Sequence, residues 1–346
     1  MVDGDDVVVL LERAAAVAAT DPGVAGSLAV WAAESLEGAE RYSTLLAAAQ
    51  LFTAAADWNR LADTWAAAAE VAPDESTKVG HLSSQGNAER QAGRWNEAEA
   101  SHRQALSLVI DGSGVDAMQL AVVRHNLAMT LKYTGGFAEA ERLYLQALDT
   151  ATALGDHEFA AVIYHNLGGL AHARGTSEQG VRWARQGLRL RKSSSSDPVA
   201  AAEDQGALAA LLIDTGDFDE AEQLLLESRA IFVGHLYAEH YEVAVVDGNL
   251  AAIALARGDL VGAETRARLA LSGKENALGN RHPELAPTLT TLGTIRRRCG
   301  DPDEAVELHR RALDLLAPHV VDGHPLLRTV RGNLEIATVT AKSRPT

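Results

Sequence analysis

Twelve histidines stand among 346 residues, and three of them have a spacing that invites chemistry. His165 and His172 are seven apart, which on a helix puts both on one side, and together with His125 they could offer a zinc ion three imidazoles. The helical rise, however, separates positions i and i+7 by about 10 Å, too far for one ion. No metal is therefore expected. As single groups His125 and His165 could serve as general bases. Nothing joins them in a known constellation, since the chain has no nucleophile elbow, Walker loop, His-Glu-x-x-His or dinucleotide fingerprint. Ser193 to Ser196 has a loop composition, and the single cysteine, Cys299, gives neither a disulfide nor a thiolate cluster. No cofactor is expected, and the chain is not expected to be an enzyme.

Two other groups of side chains suggest binding. Asn126, Asn166 and Asn249 carry amides that both donate and accept, which suits the main chain of an extended peptide. The alternative is that these amides cap or bridge neighbouring helices. Arg90, His125, Lys132, His165 and His172 are basic; Glu203 and Asp214 change the sign, and Arg297 and Arg298 restore it. A basic patch of this kind could hold a carboxylate or an acidic peptide, with Arg gripping it in bidentate fashion. A solvated helix face is the plainer alternative. Either way, residues so far apart in the chain can share a surface only if a repeated element carries them there.

That element is a repeat of about 42 residues. Gly93, Gly135, Gly175, Gly216, Gly258 and Gly300 follow one another at spacings of 42, 40, 41, 42 and 42. Five residues after each comes a small residue: Ala98, Ala140, Gly180, Ala221, Ala263 and Ala305. Twelve after it comes another: Ala105, Ala147, Gly187, Ser228, Ala270 and Ala312. Eight before it, Leu127, Leu167, Leu208, Leu250 and Leu292 recur, with Gln85 as the exception. The glycine fits a left-handed cap after one helix. Asp219, Glu220, Asp303 and Glu304 then suit the positive first turn of the next helix. The two small columns share one face and let a neighbouring backbone approach. Each copy is a helix hairpin that must stack on others to bury its apolar side.

These stretches, above all HNLAMTLKYTGGFAEAERLYLQAL, ALGNRHPELAPTLTTLG and AEHYEVAVVDGNLA, resemble tetratricopeptide repeats. The resemblance is to the longer, roughly 42-residue kind found in kinesin light chains and bacterial relatives. It spans roughly residues 76–341 and implies an all-α, right-handed α-solenoid of stacked antiparallel hairpins. The first helix of each hairpin would line a concave groove. Counted back from each glycine, the face opposite the core leucine then holds Asn87 and Arg90; His125, Asn126, Met129, Lys132 and Tyr133; His165, Asn166 and His172; Asn249; and Arg297 and Arg298. Family members use groove asparagines on peptide main chains, so the resemblance implies that role for Asn126, Asn166 and Asn249.

The expected organisation is an N-terminal helical segment at 1–75, with a degenerate repeat at 39–72, six repeats at 76–320, and a capping helix and tail at 321–346. Asp57-Trp58 stands where Arg94-Trp95 stands in the first clear copy, which suggests the degenerate repeat. Lys192 to Pro198 reads as a flexible loop between hairpins. A net charge of −16 argues against non-specific binding to nucleic acid or anionic lipid. Apolar residues make up 47% and aromatics only 5%, which suits close-packed helices. An acidic N-terminus and a short apolar run broken by Glu12 and Arg13 do not fit a secretory signal or a membrane span, so a cytoplasmic protein is expected. High Ala, and Arg far in excess of Lys, hint at a GC-rich bacterial genome. The expected function is a non-enzymatic scaffold or adaptor that takes a protein or peptide segment, acidic in character, in its groove. Two rivals remain: a ligand-responsive regulator acting through a partner, and an accessory or catalytic protein of a biosynthetic pathway with a small molecule in the groove. Any homo-oligomer contact would fall to the N-terminal helices.

Overall fold

The computed structural model describes residues 4–111, 116–194 and 197–343. Among these, every regular element is helical. The chain divides into two compact units, Met1–Thr130 and Leu131–Thr346. The first holds α1 (Gly4–Val17), α2 (Pro22–Ala33), α3 (Gly38–Ala54), α4 (Trp58–Glu70), α5 (Glu75–Gln91), α6 (Trp95–Asp111) and most of α7 (Ala117–Thr134). The second holds the end of α7 and then α8 (Phe137–Ala153), α9 (His157–Arg174), α10 (Ser177–Ser194), α11 (Pro198–Thr215) and α12 (Phe218–His235). It continues with α13 (Tyr241–Arg257), α14 (Leu260–Leu278), α15 (Ala286–Arg298), α16 (Pro302–Leu316) and α17 (Pro325–Lys342). α10 runs to Ser194, so helix takes up part of the stretch read as a loop; Ser195 and Ser196 lie outside the described residues, as does the tail after Ser343.

The repeat columns explain why hairpins form. All six anchoring glycines are left-handed, with φ between 76° and 100°. At Gly258 the chain turns out of α13 as Asp259 N–H bonds back to the Ala254 carbonyl at 2.9 Å. The Asp259 carboxylate then accepts the Gly262 N–H at 2.9 Å and so caps α14. Asp156 and Asp301 cap α9 and α16 in the same way. The alanines of both small columns are 0% exposed, and Leu127, Leu167, Leu208, Leu250 and Leu292 are at most 3% exposed. At Gly180 a Cβ would fall 2.5 Å from Leu211 Cδ2, so there even alanine is too large.

Ala56 shows what the fold demands where the glycine is missing. It joins α3 to α4 with φ 51°, left-handed although it carries a Cβ. Asp57 N–H bonds to the Phe52 carbonyl at 3.0 Å, the same bond that Arg94 N–H makes to Glu89.

A second set of caps starts the leading helices of the later hairpins. His240, His282 and His324 stand 42 residues apart, and each Nδ1 accepts the N–H two residues on, at 3.2 Å. The caps at His240 and His282 fix where Glu242 and Glu284 begin their helical turns.

Candidate functional site

Within the second unit the leading helices follow one another: α9 meets α11, α11 meets α13, α13 meets α15 and α15 meets α17. They carry His165 and Asn166 on α9, Glu203 on α11, and Tyr241, Glu242 and Asn249 on α13, while Glu284 stands in the 3-10 turn Pro283–Leu285 that leads into α15. His165 Nδ1 lies 2.9 Å from Asp204 Oδ1, and Asp204 Oδ2 lies 3.0 Å from Arg191 Nε. Asp204 and Arg191 are 3% and 5% exposed, so their charges depend on one another. Tyr241 O–H donates to Glu284 Oε2 at 2.6 Å.

The carboxylates around this point are crowded. Burial pushes Glu242 up to about 7, and the neighbouring Glu203 charge adds to the rise, while His165 and Lys274 oppose it. Burial also raises Glu203, against the pull of His165. Glu203 is solvent-accessible, and its carboxyl is raised all the same. Lys274, on α14, is lowered by burial and held up by Glu284 and Glu242. Burial, and then Glu284, lift the Tyr241 hydroxyl well above its ordinary range. Three carboxylates, one amine, one imidazole and one phenol are thus linked pair by pair, with Glu242 in reach of all the others. Such a set can exchange protons internally, bind a cation, or accept hydrogen bonds from a main chain.

The residues expected from the sequence are placed as follows. In the first unit, Asn87 and Arg90 are half-buried, and Asn87 Oδ1 and Arg90 Nε have no hydrogen-bond partner among the described residues. His125 and Asn126 are 7% and 8% exposed and bond to each other at 3.3 Å, while Met129 is half-buried. In the second unit, Lys132 Nζ lies 4.6 Å from the centre of the Tyr133 ring. Asn166 Nδ2 donates to the Val162 carbonyl of its own helix at 3.1 Å. Asn249 is half-buried. His172 bonds to Asp214 at 2.8 Å; against the effect of burial, that bond and the Ser177 hydroxyl hold the carboxyl low. Arg298 donates to the Leu255 carbonyl at 2.9 Å and so ties α15 to the end of α13, while half-buried Arg297 acts on His309.

The basic half expected of the groove is therefore altered. His165 and His172 each carry their own carboxylate, and the face around them is acidic. Sequence reading missed Tyr241, Glu242 and Glu284 because the column stopped thirteen residues before the glycine. One more turn towards the N-terminus, at sixteen and seventeen residues before it, reaches all three. Lys274 gave no such signal, because it reaches this group from a trailing helix.

The repeat itself decides the family. One tetratricopeptide repeat model matches residues 81–153, 119–193 and 242–317, more than half of the chain, and a second matches 205–240. The chain belongs to the tetratricopeptide repeat family. A search of curated proteins finds no match to this tetratricopeptide repeat protein. Among solved structures it is similar to a Rap protein complexed with Competence and Sporulation Factor, at 12% identity over 99% of this chain and 100% of that one, with a TM-score of 0.60. It is also similar to a tetratricopeptide repeat protein from Parabacteroides merdae, at 15% identity over 86% of this chain and 98% of that one, TM-score 0.51. A kinesin light chain repeat structure from Podosopora anserina shares 21% identity over 52% of this chain and 86% of that one, TM-score 0.40. Among the described residues no three metal-binding side chains converge, and no helix is long and apolar enough to cross a membrane.

Proposed function

We propose that this tetratricopeptide repeat protein binds a protein or peptide segment along the leading helices of its second unit. The observation that carries the reading is the polar character of that face. Buried ionisable groups are costly unless partnered. Glu203, Glu242 and Glu284 are served by Lys274, His165 and Arg191, and of these His165 and Arg191 are already bonded to Asp204. An incoming basic side chain would relieve that imbalance, so the partner is a segment that presents Lys or Arg rather than an acidic one. Asn166 and Asn249, in the same column two repeats apart, would take its main chain. The Rap likeness supports the fold end to end; the occupant is inferred from this chain's own residues.

The test is a pull-down from cell extract with mass spectrometry, comparing wild type with the triple variant Glu203→Gln, Asn166→Ala, Asn249→Ala. Partner recovery should fall at least about tenfold, as expected when about 1.4 kcal/mol of binding energy is lost. The helical circular dichroism should stay unchanged. Undiminished recovery by a folded variant would remove the reading.

A further inference from the structure

Solenoid repeats contact only their neighbours. Among the described residues the second unit departs from this where two distant linkers meet. The turn from α7 to α8 and the linker from α16 to α17 stand four hairpins apart, and they touch. Val321 N–H donates to the Thr134 carbonyl at 3.2 Å. The Phe137 and His324 rings are tilted together, with centres 5.5 Å apart. A Cβ on Gly135 would fall 2.8 Å from Val321 Cγ2 and 3.5 Å from His324 Cδ2. At the corresponding glycines Gly175, Gly216, Gly258 and Gly300 nothing lies within 4 Å of such a Cβ. Gly135 is thus the hairpin turn among these that another part of the chain covers. The linker is shaped for the purpose: Asp322 bonds to Arg331 at 3.1 Å, and His324, 6% exposed, caps α17. α17 in turn lies against α9, the first of the leading helices.

We infer that Val321 to His324 form a clasp which closes the second unit on itself, and that its release admits an extended chain to the leading-helix face. The inference rests on the binding reading for that face and gives it a control. Three observations converge on it. The leading helices follow a ring α9–α11–α13–α15–α17–α9, and the clasp linker leads directly into α17, the helix that closes it against α9. The clasp includes a backbone hydrogen bond from Val321 to Thr134 and the ring contact of Phe137 with His324, both made by the linker and not by the interior of a hairpin. The face it encloses is crowded enough that Glu242 on α13 feels His165 on α9, two leading helices away. Opening would rehydrate the half-buried Glu242 and Glu284, so the closed state carries a cost that binding or opening relieves.

The test needs no partner, so its failure is distinct from failure of the binding reading. In a Cys299→Ser background, spin labels go on cysteines introduced at Ala138 and Arg328, both exposed, on α8 and α17. The double variant Val321→Asp, His324→Asn removes the apolar cover and the ring contact, while Asn keeps an acceptor for the α17 cap. The inter-label distance should lengthen and broaden. Separately, a cysteine introduced at Asn249 should react with a bulky maleimide at least about tenfold faster in the loosened variant, if the open state is a minor one of roughly 0.1–10% in wild type. A control cysteine introduced at exposed Glu307 should react equally fast in both. Unchanged distances would overturn the clasp; changed distances with an unchanged labelling rate at position 249 would overturn its role as a gate. A third measurement uses the wild-type chain, should the variant fold poorly. The Val321 amide must be protected from hydrogen exchange, because its acceptor lies across the clasp, and exchange at the unprotected rate would overturn the proposal.

Discussion

His102 and His309 hold the same place in two repeats, nine residues after Gly93 and Gly300. Both are 0% exposed, and among the described residues neither ring nitrogen of either has a hydrogen-bond partner. Each ring fills the space left by a glycine on the paired helix. A Cβ on Gly86 would fall 2.6 Å from His102 Cε1, and one on Gly293 would fall 2.7 Å from His309 Cε1. Burial pushes the His102 imidazole down to about 3, with Arg90 and His125 adding to the fall. Burial, and then Arg297, push His309 down to about 4. In the unfolded chain both titrate near about 6.5. The unfolded chain therefore takes up protons first. Stability is complete above about pH 6.5 and is lost as the pH falls towards the folded values, and linkage sets the loss at about 2 kcal/mol per ring at pH 5. Native-state hydrogen exchange, corrected for intrinsic rates, reads this locally on α5 and α6 for His102 and on α15 and α16 for His309. His102→Leu should flatten the fall between pH 7 and pH 5 in α5 and α6 and leave α15 and α16 unchanged; His309→Leu should do the reverse. If both variants keep the wild-type fall, the imidazoles are not its source and the reasoning is refuted.

Three further outcomes are expected. Ala56→Gly should stabilise the first unit by about 0.5–1 kcal/mol, since a left-handed alanine costs more than the added freedom of glycine; a denaturation midpoint that moves down would contradict it. Ala140→Leu or Ala263→Leu should overpack its hairpin by about 1–3 kcal/mol and lower the melting temperature, because both alanines are 0% exposed. Glu242→Gln should stabilise the second unit by about 3 kcal/mol at pH 8 and by about 1 kcal/mol or less at pH 5. A carboxyl raised to about 7 loses stability as pH rises from its unfolded value through 7, and the amide has no charge to lose. Urea denaturation at the two pH values checks this, and an equal effect at both would show that charge is not the cause.

The hairpins were legible because their determinants are local and repeated. A left-handed glycine, an acidic first turn and two small residues seven apart each act within one or two helical turns, and six copies in register leave little freedom to the fold. The Asn126 and His165 columns were legible as positions on a helix for the same reason. What those side chains meet was not. Asp204 reaches His165 from the next hairpin, and Asp214 reaches His172 in the same manner, so charges that count as basic along the chain are neutralised in space. Lys274 enters the carboxylate group from a trailing helix.

The sequence by itself determined that this chain is a stack of helix pairs and which residues are sealed between them, since burial follows from periodicity within each pair. Tertiary structure alone decided the charge of the leading-helix face and the contact between Thr134 and Val321. Both depend on the angle accumulated over successive hairpins, a sum of small rotations that no single repeat encodes.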